Sequence, residues 1–294
     1  MGGALGLAAG GAALEVASLR GHFDNRTLVV GDGAARFFAA MQEPTTGMVH
    51  LAHSTHVVCI GGLRLLTDPW FFDPAFGALE HSVRPPVAPE DVHVDAILIS
   101  HDHPDHADLR ALDRMQKDTP VLCATTELAT RVKGAGFQET YVLAPWESLP
   151  FRGVTITATP AEHDAYEIGY VIEAPAPQPF SVYFAGDTRL CPAIDAIAER
   201  FEALDLCIVP VDGTRVHTSQ QWVMTPEDAI VAVGKLRPRM VIPSHAEARF
   251  FDPLVSRLLA SEIPGSAQIF AELLRTAHPE VRCALPSPGE RISV

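Results

Sequence analysis

From Val49 onward the chain alternates short apolar runs with polar or amphipathic stretches. "VHLAHSTHVVCI" and "LRLLTDP" flank Gly61-Gly62, a pair suited to a tight turn, so a hairpin is expected there. Further strands are expected at "AILIS", "PVLCAT", "VTITATP", "FSVYFAG", "LCIVPV" and "MVIPSH". The pattern predicts helices from Asp105 to Gln116, from Thr126 to Lys133 with Gly134 as the stop, and from Pro192 to Ala203. "TPEDAIVAVGKL" offers Thr225 as N-cap, Pro226 in the first turn and acids beside the positive end of the helix. The tail from Asp252 to Ala277 reads as mostly helical, and "WFFDPAFGALEHSVRPPVAPED" as a long surface loop. Hairpins early and strand–helix alternation later predict a layered α/β fold with mixed sheets. Residues 1–44 read as an N-terminal extension, and 45–294 as one domain ending in a helical segment.

Composition narrows the function. Apolar residues make up 47% and charged residues 20% of 294 positions, ordinary for a soluble globular protein. The net charge of −14 and the lack of a Lys/Arg cluster exclude a phosphate-binding surface of the nucleic-acid kind. Five cysteines are widely spaced with no CxxC pair; Cys59, Cys123 and Cys207 sit in apolar runs and read as buried hydrophobes, so no oxidising compartment is required. A cytoplasmic location follows as the expectation. The apolar opening "MGGALGLAAGGAALEVASLRG" reads as a packed or loosely ordered helix, although an export or membrane segment is its rival. Asn25-Arg26-Thr27 matches a glycosylation sequon, which means little without a secretory context.

The chemistry lies where the strands end. "AILISHDHPDHADL" places three of thirteen histidines, His101, His103 and His106, with Asp105 directly after a buried-type strand. "TITATP" runs into His163, "VYFAG" into Asp187 and "VIPS" into His245. Strand ends fix a side chain rigidly while the loop exposes it, which is what a ligand site needs. Imidazole nitrogen and carboxylate oxygen suit zinc at about 2.0–2.2 Å, and paired ions sit about 3.5–4 Å apart. These seven candidate ligands exceed the need of one tetrahedral ion and suffice for two, with room for water.

The motif His101-x-His103-x-Asp105-His106, followed in order by His163, Asp187 and His245, resembles the metallo-β-lactamase-fold hydrolase superfamily over about Val49 to His245. The resemblance implies a four-layer αββα sandwich of two mixed sheets with metals at one edge. It further implies that His101, His103 and His163 bind one metal, that Asp105, His106 and His245 bind the other, and that Asp187 bridges them. "HSTHVVCIGGLRLLTDPW" and the later "RPP" look most like the branch containing ascorbate-6-phosphate lactonases and N-acylphosphatidylethanolamine phospholipase D. By the same resemblance, His103 in place of an acid favours zinc hydrolysis over diiron redox chemistry, and Asp187 points away from β-lactam cleavage.

The expected protein is therefore a dizinc hydrolase of an ester-type bond, a lactone or a phosphodiester, acting on a small-molecule substrate. Manganese or iron are alternative occupants. Asp105 is the candidate proton shuttle, and Asp68 in "LLTDP" the candidate outer partner of a ligand. His53, Arg84, Arg215 and His217 are candidate substrate contacts, with His56 a weaker one; His53 and His56 are read as bracketing a strand. Trp70, Phe71, Phe72 and Phe76 are expected either to wall a pocket or to pack the long loop, while Asp102 and Asp108 read as solvated at a helix start. The rivals are a mononuclear thioesterase or oxygenase on the same fold, a membrane-associated lipid hydrolase and a non-catalytic module. Self-association is left open.

Overall fold

A computed structural model describes residues 27–216, 220–259 and 261–294. The apolar opening, Asn25, Arg26 and the candidate contact His217 lie outside the described residues. Two seven-stranded sheets dominate. In spatial order the first runs Arg291–Ser293, Gly47–Ala52, Thr55–Ile60, Leu63–Thr67, Ala96–Ile99, Val121–Cys123 and Thr140–Val142. The second runs Ser148–Phe151, Val154–Pro160, Ile168–Ala174, Phe180–Phe184, Leu206–Pro210, Met240–Ser244 and Arg282–Cys283. Each sheet is antiparallel in its sequence-early hairpins and parallel from Leu63–Thr67 or Phe180–Phe184 onward.

Alternation along the strands builds four layers. Successive side chains point to opposite faces of a strand, so neighbours in sequence join different cores. Leu65, Ala96 and Leu98 meet Ile156, Tyr170, Val182 and Ile208 in a core between the sheets. Leu66, Ile97 and Ile99 face outward, under Phe37, Ala111, Leu112, Leu128 and Val132 from the helices Ala34–Gln42, Leu109–Arg114 and Thr126–Gly134. Cys207, Val209 and Val241 do the same under Ile194, Ile197, Ala229, Val233, Phe270 and Leu274. The result is the expected αββα sandwich. Cys59, Cys123 and Cys207 are buried thiols, as their apolar settings imply.

The Gly61-Gly62 turn has φ of 59° and 79°, the left-handed pair a two-residue hairpin requires, and pairs Ile60 with Leu63. Thr225 and Asp228 form a capping box on the helix Pro226–Leu236. Several elements differ from the sequence expectation. "VHLAHSTHVVCI" is two strands joined at His53-Ser54, so His53 occupies a turn and His56 the interior of a strand rather than bracketing one. The helix expected from Asp105 starts at Leu109: the carbonyl of His103 accepts the N–H groups of His106 and Ala107, which closes a turn first. Asp108 then caps the helix while accepting the backbone N–H of Phe71 and Phe72; it is buried, not solvated. The helix from Pro192 ends at Arg200, and the C-terminal segment divides into Pro253–Leu258 and Ala267–Ala277, separated at Pro264-Gly265. "IGYVIEA" (168–174) is a central strand that the sequence reading passed over. The long loop carries the short strands Phe72–Asp73 and Leu79–His81, and Trp70 and Phe71 are fully buried packing residues. No helix among the described residues is long and apolar enough to cross a membrane.

Tyr170 ties the two sheets together, its buried hydroxyl donating to the Ile99 carbonyl at 2.9 Å, two residues before His101. Tyr170→Phe removes that bond without opening a cavity, and urea unfolding is expected to show a loss of about 0.5–1.5 kcal/mol. Leu98→Ala, in the core between the sheets, is expected to cost about 2–5 kcal/mol in the same assay.

Candidate metal centre

Strand direction explains why distant residues meet. In the first sheet Gly47–Ala52, Leu63–Thr67 and Ala96–Ile99 all run the same way, and they are followed by His53, Asp68 and His101. In the second, Val154–Pro160, Phe180–Phe184, Leu206–Pro210 and Met240–Ser244 share a direction and are followed by His163, Asp187, Asp212 and His245. Asp68 (φ 34°), His53 (φ 55°) and His245 (φ 49°) take left-handed backbone at these ends. Such residues cost about 1–3 kcal/mol each and persist only where their surroundings fix them.

The side chains form two adjoining groups. His101, His103 and His163 make one, and His53, Asp105, His106 and His245 the other; within each, one ligand-type atom per residue lies within 4.8 Å of the rest. Asp187 stands between the groups. Its Oδ2 is 3.0 Å from His106 Nε2, 3.0 Å from His245 Nε2 and 4.0 Å from His101 Nε2. Asp105 Oδ2 lies 3.9 Å from His106 Nε2 and 3.8 Å from His245 Nε2. His103 turns Nδ1 inward, 3.2 Å from His163 Nε2.

Outer partners set the direction of each ring. His106 Nδ1 meets Asp68 Oδ2 at 2.7 Å and His245 Nδ1 meets Asp212 Oδ2 at 2.9 Å. His101 Nδ1 faces Glu167 Oε1 at 3.1 Å and Ser100 Oγ at 2.9 Å, and His163 Nδ1 faces the Trp222 carbonyl at 2.9 Å. Each of these rings therefore presents Nε2 to the centre, the arrangement that makes an imidazole a strong ligand. Glu167 Oε1 also accepts the Asp187 N–H at 2.6 Å. Gly186 permits this approach, since a Cβ there would lie 2.4 Å from Glu167 Oε1.

Charge in the cluster is strongly coupled. Burial alone would push His106 and His245 down, but Asp187, with Asp105 and Asp68 beside His106 and Asp212 beside His245, outweighs it and holds both imidazoles well above their ordinary value. Burial would raise Asp187, and the same two histidines instead hold it well below the usual carboxylate range. Burial and then neighbouring imidazoles push His101 down, and His103 down to about 3. Burial, then Asp187, pushes Glu167 well up.

The residues fit a cation on their own geometry. The Nε2 atoms of His101 and His106, Oδ1 of Asp105 and Oδ1 of Asp187 are buried without an aligned hydrogen-bond partner. Buried polar atoms are normally paired, so a converging set of unpaired donors of lone pairs is what a missing cation leaves.

The profile of the beta-lactamase superfamily domain matches residues 63–246, which span both groups except His53. The chain belongs to the metallo-β-lactamase-fold superfamily. A UPF0173 metal-dependent hydrolase of Pyrobaculum neutrophilum is 31% identical over 208 residues, 66% of this chain and 80% of that one. An isothiocyanate hydrolase from Delia radicum gut bacteria superposes with a TM-score of 0.69 at 20% identity, covering 85% of this chain and 99% of that one. A metallo hydrolase of Ignicoccus hospitalis superposes with a TM-score of 0.63 at 22% identity, covering 83% and 96%. The last two are likenesses of fold.

In this superfamily member the seven sequence-derived ligand candidates lie together, and Asp68 stands behind His106. His53 joins the second group, whereas His56 points its Nδ1 at His50 Nδ1, 3.1 Å away within the hairpin. Arg84 lines a cleft with Thr27, Asp73, Pro74, Glu80 and Phe251 that contains none of these ligand-type residues. Arg215 pairs with Glu262 at 3.4 Å, and Asp102 with Arg131 on the surface. Glu167, Asp212 and Glu247 were missed by the sequence reading. Asp212 had a legible signal, since it follows the strand "LCIVP" as the ligands follow theirs; Glu167 and Glu247 had none. Phe76 and Trp222 flank His103, their rings 5.0 and 5.5 Å from its own, on the half-exposed side of the cluster.

Outer carboxylates hold the rings, so Asp212→Ala and Glu167→Ala are each expected to weaken cation affinity about 10–100-fold, read by competition with a chromophoric chelator. Asp187 and the acids behind them hold His106 and His245 well above the ordinary imidazole value, and a cation needs their Nε2 unprotonated, so uptake is expected to release protons and to be tighter at pH 8 than at pH 6. Calorimetry in buffers of different ionisation enthalpy measures that release.

Proposed function

We propose that this protein is a metal-dependent hydrolase that holds two divalent cations, zinc by donor chemistry, and cleaves an ester-type bond in a small molecule, a lactone or a phosphodiester. In this reading His101, His103 and His163 hold one cation, Asp105, His106 and His245 the other, and Asp187 lies between them. The supporting observation is the central Asp187 carboxylate, 3.0 Å from His106 and His245 and 4.0 Å from His101, with ligand groups on both sides. Bound there, two cations polarise a carbonyl or phosphoryl oxygen and lower the pKa of water toward about 7.

The chain's own residues supply the rest. Asp105 is buried with Oδ1 unpaired, and burial raises its pKa despite His106 and His245, so it suits accepting a proton from the attacking water and passing it to the departing oxygen. Asp68, Glu167 and Asp212 keep the imidazoles in one tautomer and one orientation. Phe76 and Trp222 border the half-exposed approach beside His103 and favour a substrate with an apolar group next to the scissile bond. Arg215 and His217 remain proposed substrate contacts, His217 lying outside the described residues. Five free thiols accord with a reducing, cytoplasmic setting.

The test is a panel of lactones, phosphodiesters, thioesters and β-lactams on zinc-loaded protein, with His101→Ala as control. Turnover of a lactone or phosphodiester, two zinc per chain and no turnover by His101→Ala are expected; thioester turnover with one ion per chain would replace this reading. Asp105→Asn is expected to lower kcat by about 10²–10⁴-fold. A variant holding two ions at full rate would remove the shuttle role.

A further inference from the structure

His53 is an extra imidazole in the second group, and its surroundings differ from those of the proposed ligands. It sits on the turn between Gly47–Ala52 and Thr55–Ile60, wholly buried, with its ring 4.1 Å from that of His245 and edge-on to Trp70. Its Nε2 has no hydrogen-bond partner and lies 3.9 Å from Asp105 Oδ2. By position alone it is a fourth ligand beside Asp105, His106 and His245.

The remote nitrogen decides otherwise. In His101, His106, His163 and His245 that nitrogen faces an acceptor: Glu167, Asp68, the Trp222 carbonyl and Asp212. Each such ring has an outer acceptor for its Nδ1–H, which leaves Nε2 as the nitrogen that can offer a lone pair to a bound cation. His53 reverses the pattern, because its Nδ1 accepts the backbone N–H of Glu247 at 3.4 Å. An imidazole whose Nδ1 accepts carries its proton on Nε2, and a protonated nitrogen has no lone pair for a cation. Glu247 secures the arrangement from both sides. Its Oε2 accepts the His53 N–H at 2.7 Å and meets His50 Nε2 at 2.9 Å, which fixes the turn whose φ is 55°.

We propose that His53 is a catalytic hydrogen-bond donor, its Nε2–H pointed into the second group to contact an oxygen of the bound substrate on which negative charge grows, and that it holds no cation. The role rests on the hydrolytic reading above and names what that substrate must present: an acceptor oxygen on the Asp105 side of the centre. His53 stays neutral throughout and gives up no proton. The proton that reaches the departing oxygen comes from the attacking water. Donors fixed in advance stabilise developing charge more than mobile water does, because no reorganisation is needed as the charge appears.

The test uses the full chain with zinc alone as the probe, wild type beside His53→Gln and His53→Phe. Two-bond 1H–15N spectra of the zinc-loaded wild type, with the His53 signals assigned by their loss in His53→Gln, are expected to show the Nε2–H tautomer. Both variants are expected to bind as many zinc ions as the wild type. Against a substrate found in the panel, His53→Phe is expected to lose about 10²-fold in kcat, and His53→Gln, which can place an amide N–H near the same point, to recover at least tenfold of that loss. An Nδ1–H tautomer in the zinc-loaded protein, or one zinc fewer in both variants, would make His53 a ligand and overturn the proposal. Unchanged kcat in His53→Phe would overturn the catalytic role. If no ester in the panel is turned over, the hydrolytic reading fails and the catalytic role with it, while the tautomer and the zinc counts still show whether His53 is a ligand.

Discussion

The arrangement depends on one buried carboxylate. Asp187 from the second sheet lies against His106 from the first and His245 from its own, so the charge that links the two side-chain groups also links the two sheets. A buried ionised carboxylate without partners costs several kcal/mol, and breaking such a pair on one side typically costs about 3–5 kcal/mol. The surrounding acids extend the problem, since Asp68, Asp105, Glu167 and Asp212 are buried in the same neighbourhood. The same acids hold the His106 and His245 imidazoles well above their ordinary value, which favours the charged form that offsets them. Metal binding and the integrity of this edge of the sandwich are thus two aspects of one electrostatic balance.

Geometry there is held from behind. The rings of His101, His106, His163 and His245 each have an outer acceptor, and Glu167 serves two members at once by facing His101 and taking the Asp187 N–H. Glu247 acts in the same way on His53 and His50, pinning the first hairpin to the segment that carries His245. Left-handed backbone at His53, Asp68 and His245 is tolerated because these bonds over-determine it. The centre also has two unlike sides. His53, Asp105, His106 and His245 are buried, whereas His103 and His163 are half-exposed beside Phe76 and Trp222.

By itself the sequence determined the layers and picked out the His and Asp side chains that meet at one edge of them. Apolar runs punctuated by Gly and Pro mark most strands, and a His or Asp directly after a run needs no knowledge of the fold to be placed at a strand end. It misplaced what competes locally: the turn closed by the His103 carbonyl delays the helix to Leu109, and the capping role of Asp108 draws that residue inside. The strand "IGYVIEA" escaped because a glycine and a glutamate interrupt its apolar run.

Only the tertiary structure decided which acid stands behind which imidazole, and which nitrogen of His53 faces the centre. Glu167, Asp212 and Glu247 act through hydrogen bonds across separations as large as 197 positions, between loops that lie close only once both sheets are assembled. Local propensity and hydrophobic period carry no term for such contacts. A side chain's type and its strand set what it can offer; the neighbour that folding places at its far nitrogen sets whether it offers a lone pair or a proton.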